Sequence, residues 1–175
     1  MNNITDIPRT AMEVFNMLPE GTRCEVIDNT LYMSPSPSTD HQKILLKIAG
    51  SLNFFVEGNN SGDIFIAPCD VYLTNSTDVV QPDIIYISKA KAGIIEKKGI
   101  YGSPDVVIEL LSSNKDYDTR KKFDLYQRNQ IPEYIIINPD TKEVLHYILA
   151  KGKYTQIPSQ NGSIVLQILN TQINF

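Results

Sequence analysis

DVVIELL, residues 105–111, is apolar at odd and even positions alike. A strand with one wet face would alternate, so this one belongs in the middle of a sheet covered on both sides. Its one interior polar residue is Glu109. Burying a carboxylate without a partner is costly or forces it to stay protonated. Glu109 therefore calls for a cation or a metal.

Toward the C-terminus, residues 118–129 have helical spacing. On a wheel of about 100° per residue with Lys122 at zero, Tyr126 falls at about 40°, Leu125 at about −60° and Phe123 at about 100°. Lys122 thus stands at the centre of the apolar face. Lys121 falls to one side, and Arg120, Asp124 and Arg128 lie on the far side, so the run RKK is not a uniformly solvated patch. A buried glutamate followed by an inward lysine is seldom made for stability alone. The plain alternative is a structural Lys–Glu pair, although such pairs are often no more stable than apolar replacements.

Further outward, EYIIINP at 133–139 reads as a second buried strand, with hairpin strands at 144–149 and 154–157. Upstream, 83–87 reads as a strand and 64–73 as a strand or bent strand. A helix capped by Ser38, Thr39 or Asp40 runs to about residue 56, with Ile44, Ile48, Leu52 and Phe55 at three-to-four spacing. Strands at 23–27 and 31–33 are joined by a tight turn at Asp28-Asn29, after a short helix at 10–18. The pattern predicts an α/β class in the α+β sense, a mixed sheet with helices on it.

At 175 residues, with 42% hydrophobic and 21% charged residues, the chain fits one globular domain, not a disordered or fibrous one. The expected division is one domain over 1–175, with a helical lead-in at 1–22 and a hairpin with further strands at 140–175. Cys24 and Cys69 make neither a disulfide framework nor a zinc motif. A cytoplasmic location follows, since neither a leader nor a membrane span is indicated. The net charge of −4 gives no general pull toward nucleic acid, so any such role must rest on a local patch.

Asp83 is the third candidate for the site, in QPDIIYIS at 81–88. A second Pro-Asp pair, Pro104-Asp105, opens the next strand. Asp105 shares the face of Glu109 but lies roughly 13 Å away along the strand, too far to share a metal. Asp83, on a different strand, can approach Glu109 across the sheet, and Asp105 is read as a strand-opening residue.

The series QPDIIYIS, GIYGSPDVVIELLS, then Asp118, Lys122 and Tyr126 at four-residue steps, then IPEYIIINP, resembles the Uma-type endonuclease family of the PD-(D/E)XK nuclease superfamily. RCEVIDNTLYMSPSPSTDHQKI at 23–44 matches the same family's glutamate, hairpin, proline-serine turn and helix-starting histidine. The resemblance spans roughly 23–139 and rests on five motifs in order, none specific alone. It implies a restriction-endonuclease-like core, a central mixed sheet flanked by helices, and divalent-metal-dependent phosphodiester cleavage. By position Asp83 matches the first acid and Glu109 the second. The plain superfamily pattern has its lysine two residues after the second acid, where this chain has Leu111; the family places it on the next helix, at Lys122. The usual turn glycine is Asn29 here. With both acids and the lysine present, the chain does not look like a decayed copy.

The expected catalytic set is therefore Asp83, Glu109 and Lys122, with Asp83 and Glu109 holding Mg²⁺ or Mn²⁺ through oxygen ligands. Lys122 would orient the attacking water or stabilise the developing charge. Glu25 reads as a solvated edge residue, or by resemblance as a site-lining residue or metal ligand. His41 lies on the inward stripe of its helix, as a buried hydrogen-bonded histidine or a catalytic one. Gln81 could touch substrate or water, and Tyr126 and Tyr134 read as packing residues. Lys89, Lys91, Lys97, Lys98, Lys115, Arg120, Lys121 and Arg128 offer a cationic surface for nucleic acid, with DNA the expected substrate. Interleaved acids keep that patch modest, so affinity would lean on the metal or on a second subunit of a homodimer. The rival function is a catalytically silent nucleic-acid-binding or interaction module on the same fold. A metal-dependent hydrolase of a different phosphate ester is a third reading.

Overall fold

The computed structural model of this chain describes residues 8–73, 77–111 and 117–175. Helix α1, Ala11–Met17, starts at Thr10, whose side chain accepts from the Glu13 N–H while Glu13 reaches back to the Thr10 N–H. That reciprocal cap satisfies two donors the helix leaves open. Strands β1, Cys24–Ile27, and β2, Thr30–Met33, form the expected hairpin. Asp28 and Asn29 turn it at φ of 50° and 55°, the left-handed pair that matches the twist of the strands. Asparagine suffices where glycine is usual, and the Asn29 side chain also accepts from Ala11 N at 2.8 Å.

Helix α2, Thr39–Asn59, is capped by Ser38, which accepts from the His41 N–H at 3.2 Å. It ends at Asn60, held at φ 51°. Ile44, Leu45, Ile48, Leu52 and Val56 line its buried stripe. After it come β3, Gly62–Ile66, β4, Val71–Tyr72, β5, Val79–Val80, and β6, Ile84–Ser88. A 3₁₀ segment, Lys89–Ile94, leads to β7, Ile95–Glu96, β8, Gly99–Tyr101, and β9, Val106–Leu110. A π-helical turn, Tyr117–Lys121, runs into α3, Lys122–Arg128, and then β10, Glu133–Ile137, β11, Val144–Ala150, and β12, Lys153–Ile157. A hairpin of β13, Ser163–Leu166, and β14, Thr171–Asn174, closes the chain.

The strands make two six-stranded mixed sheets, ordered β12-β11-β10-β9-β6-β3 and β2-β1-β5-β4-β8-β7. In the first, β9 and β10 run parallel at the centre and every residue of both is buried, as the two-sided apolar runs require. The α3 crossover is what lets them run parallel. Val106, Ile108 and Leu110 pack with the α2 stripe and the last hairpin, whereas Val107 faces the other way with Leu125 and Tyr126 of α3. Glu109 shares the parity of Val107, so its side chain is delivered to the α3 side.

Residues 64–73 are not one strand. They divide into β3 and β4, which belong to different sheets, because Pro68 has no N–H to continue a ladder. The expected helix at 118–129 opens as a π turn before it becomes α-helical at Lys122. Lys115 lies outside the described residues, as do the side chain of Asp118 and any contact it makes. The buried acid Glu133 is structural. It accepts from His146 Nε2 at 2.7 Å and from the backbone N–H groups of Gln167 and Ile168 at 2.8 and 3.0 Å. These bonds tie the turn of the last hairpin to the sheet.

Candidate active site

The wheel that turned Lys122 inward describes the structure. Lys122 Nζ donates to Glu109 Oε1 at 2.8 Å and lies 3.0 Å from Glu25 Oε1, and the three side chains are 4–5% exposed. Tyr126, one turn further along α3, donates its hydroxyl to the same Glu109 oxygen at 2.6 Å. Its ring packs edge-on against Tyr134, so Tyr126 both fills the core and binds the carboxylate, while Tyr134 is fully buried in that core. Burial pushes the Tyr126 hydroxyl well above its ordinary pKa, with the charges of Glu109 and Glu25 adding to the rise. It is a neutral donor at any ordinary pH.

Glu25 is not a solvated edge residue. It is buried on β1, and the Gln81 N–H donates to its Oε1 at 2.8 Å. Gln81 is fixed in turn, its side-chain amide donating to Asp70 Oδ1 at 2.8 Å and to the Thr22 carbonyl at 3.1 Å. Asp70 was not among the residues expected from sequence. The available signal was that it is the one charged residue in the apolar run IFIAPCDVYL, residues 64–73.

Asp83 immediately precedes β6, which runs antiparallel to β9 with Ile84 opposite Ile108. One residue further along that register sets Asp83 opposite Glu109. Its Oδ2 accepts from the Leu110 backbone N–H at 2.8 Å and lies 3.2 Å from His41 Nε2. His41 is buried on the first turn of α2, and its Nδ1 is a buried polar atom with no partner among the described residues. The end of β9 is thus approached from one sheet face by α3 through Lys122 and from the other by α2 through His41.

Neighbouring charges are engaged elsewhere. Asp105 accepts from Ser88 N at 2.8 Å and pairs with Lys91 at 2.9 Å, as a residue fixing the strand opening. Arg128 pairs with Asp28 and Asp78 at 2.7 and 2.9 Å. Lys121 is outside the buried cluster but is not simply solvated: it donates to the Tyr32 hydroxyl and its Nζ stands 4.6 Å from the ring centroid. Lys89, Lys97, Lys98 and Arg120 are exposed.

Among the described residues no three His, Cys, Asp or Glu side chains form a ready-made metal cage. The donor set fits a different arrangement. Asp83 and Glu109 supply hard oxygen at register-opposed positions, and Glu25 adds a third carboxylate against the one lysine. Carboxylate oxygens are the hard ligands Mg²⁺ takes, one or two at a time, with water and substrate phosphate completing its shell.

The comparison with family profiles is decisive for membership: the Uma2 profile, described as "Putative restriction endonuclease", matches residues 11–174. The chain belongs to the Uma2 family. A crystal structure described as "a putative nuclease belonging to DUF820" from Anabaena variabilis ATCC 29413 is similar to it at 20% identity and a TM-score of 0.74, over 93% of this chain and 92% of that one. That likeness shows the fold. A search of curated proteins gave no match. Among the described residues, no helix of this Uma2 chain is long and apolar enough to cross a membrane.

Proposed function

We propose that this chain is a divalent-metal-dependent endonuclease that hydrolyses phosphodiester bonds, with DNA as its substrate and 1–175 acting as one domain. Uma2 membership supports the nuclease class, and the observation that carries the mechanism is the Lys122–Glu109 contact of 2.8 Å inside the core, with Asp83 level with it on the neighbouring strand. Asp83 and Glu109 bind the ion, Mg²⁺ or Mn²⁺. When bound, that ion polarises the scissile phosphate and lowers the pKa of a water. Lys122 supplies a fixed positive charge beside the reacting phosphate, where poor solvation makes it worth more than in water. Glu25 and Tyr126 position that charge and the Glu109 carboxylate. His41 and the Leu110 N–H orient Asp83. Lys89, Lys97, Lys98 and Arg120 are the exposed cations for the DNA backbone; Lys91 and Arg128 are engaged by carboxylates.

The rival reading, a silent binding module, draws on the same contacts: Lys122 with two carboxylates is also what a structural network looks like. Incubation of the chain with supercoiled plasmid in Mg²⁺, Mn²⁺ or EDTA separates the two. The enzyme nicks the plasmid with metal and stops in chelator. DNA retention that ignores chelator, with no nicking under any condition, overturns the enzyme.

A further inference from the structure

The outward face of α2 carries the two most exposed large apolar side chains among the described residues, Phe54 at 83% and Leu46 at 72%. They stand four residues to either side of Gly50, about 6 Å along the axis. A Cβ placed on Gly50 would meet nothing within 4 Å. Lys43 and Glu57, both exposed, stand seven residues to either side, about 10.5 Å along the axis. On a wheel all four lie within about 40° of Gly50. Asn53 donates to Glu57 Oε1 at 2.9 Å, which keeps that carboxylate along the helix surface.

This arrangement is complementary to itself in one orientation. We propose that the face is where two copies of the chain meet, their α2 helices antiparallel about a two-fold axis at Gly50. Reversing the helix brings Lys43 of one copy level with Glu57 of the other, and the symmetry makes that pair twice. Leu46 of each copy comes level with Phe54 of the other, so the exposed apolar side chains are covered. Gly50, with no side chain, lets the two backbones approach at the centre. A parallel arrangement would set Lys43 against Lys43 and Glu57 against Glu57. An apolar pair rimmed by charges is also the usual composition of an interaction surface. The proposal does not depend on the nuclease reading, although a dimer would carry two Glu109–Lys122 clusters, the number that cutting both strands with one site per strand requires.

Sedimentation equilibrium of the full chain tests it, with Phe54→Ser, Lys43→Glu, Glu57→Lys and the double charge reversal compared, and far-UV circular dichroism confirming that each is folded. The wild type is expected at twice 19.7 kDa at micromolar concentration, and Phe54→Ser as a monomer. Each single reversal opposes like charges at two symmetric places, so it should weaken the dimer roughly tenfold, and the double reversal should restore it. A monomeric wild type overturns the proposal. So does a dimer indifferent to Phe54→Ser, or single reversals that the double does not rescue.

Discussion

Lys122 Nζ sits between two carboxylates from different sheets, 2.8 Å from Glu109 Oε1 on β9 and 3.0 Å from Glu25 Oε1 on β1. A lone buried Lys–Glu pair would need only one of them. The second acid fixes where the ammonium can stand, and in the proposed mechanism Glu25 is a positioning residue. Glu25→Gln keeps its shape and removes its charge. Cleavage should slow roughly 10–100-fold, the usual cost of losing a partner that orients a site group, with a loss of metal affinity smaller than that of Glu109→Gln. Single-turnover plasmid cleavage and calorimetric metal titration check this.

Lys121 provides the internal control. It is adjacent in sequence and equal in charge, but rests on Tyr32 instead of Glu109. Lys121→Met should leave the cleavage rate within a few-fold of wild type and cost at most about 1 kcal/mol in a urea melt, in keeping with a cation–π contact at a partly open place.

The stripe of α2 is a stability feature separable from the chemistry. Leu52 is 1% exposed against the β9 face. Leu52→Ala removes buried volume that the sheet cannot refill, and should lower unfolding free energy by about 2–5 kcal/mol. Cleavage measured well below the new melting temperature should stay near wild type.

Tyr154 is one of several buried tyrosines, Tyr126 among them, that should make the fold lose stability in alkali. It is packed beside Tyr134 and Tyr147 and donates to the Ile131 carbonyl at 2.9 Å, and burial raises its pKa far above the ordinary 10.0. From pH 10 upward the unfolded chain gives up this proton while the folded one keeps it, so the contribution present below pH 10 is lost as pH rises. The slope is at most about 1.4 kcal/mol per pH unit for one such group. Tyr154→Phe should flatten the decline by that amount in urea melts between pH 8 and 11.

What was legible in the sequence follows period and length. DVVIELL and EYIIINP revealed the paired central strands because a two-sided apolar run has few other uses, and the wheel set Lys122 apart from Lys121 because three-dimensional proximity there is a matter of angle. Strands β5, β7 and β8, of two or three residues, are too short to show a period, so the second sheet was invisible beyond its first hairpin. That is why Glu25 read as an edge residue: its burial depends on neighbours in the second sheet and on α3. The link from Gln81 to Asp70 joins residues 11 apart that flank the short antiparallel β4–β5 pair, and no local pattern encodes it.

If Glu109 serves the metal and Lys122 serves the reaction, their substitutions should differ in kind. The decisive measurement is calorimetric titration with Mg²⁺ or Mn²⁺, run beside plasmid nicking on the wild type, Glu109→Gln and Lys122→Met. Glu109→Gln should lose metal binding and cleavage together. Lys122→Met should bind metal at least as well as wild type while cleavage falls roughly 10²–10³-fold, the loss typical of one transition-state electrostatic contact. If wild type binds no metal and nicks nothing, while both variants melt early by about 3–5 kcal/mol as expected when one partner of a buried pair is removed, the cluster is structural and the chain is not a metal-dependent nuclease.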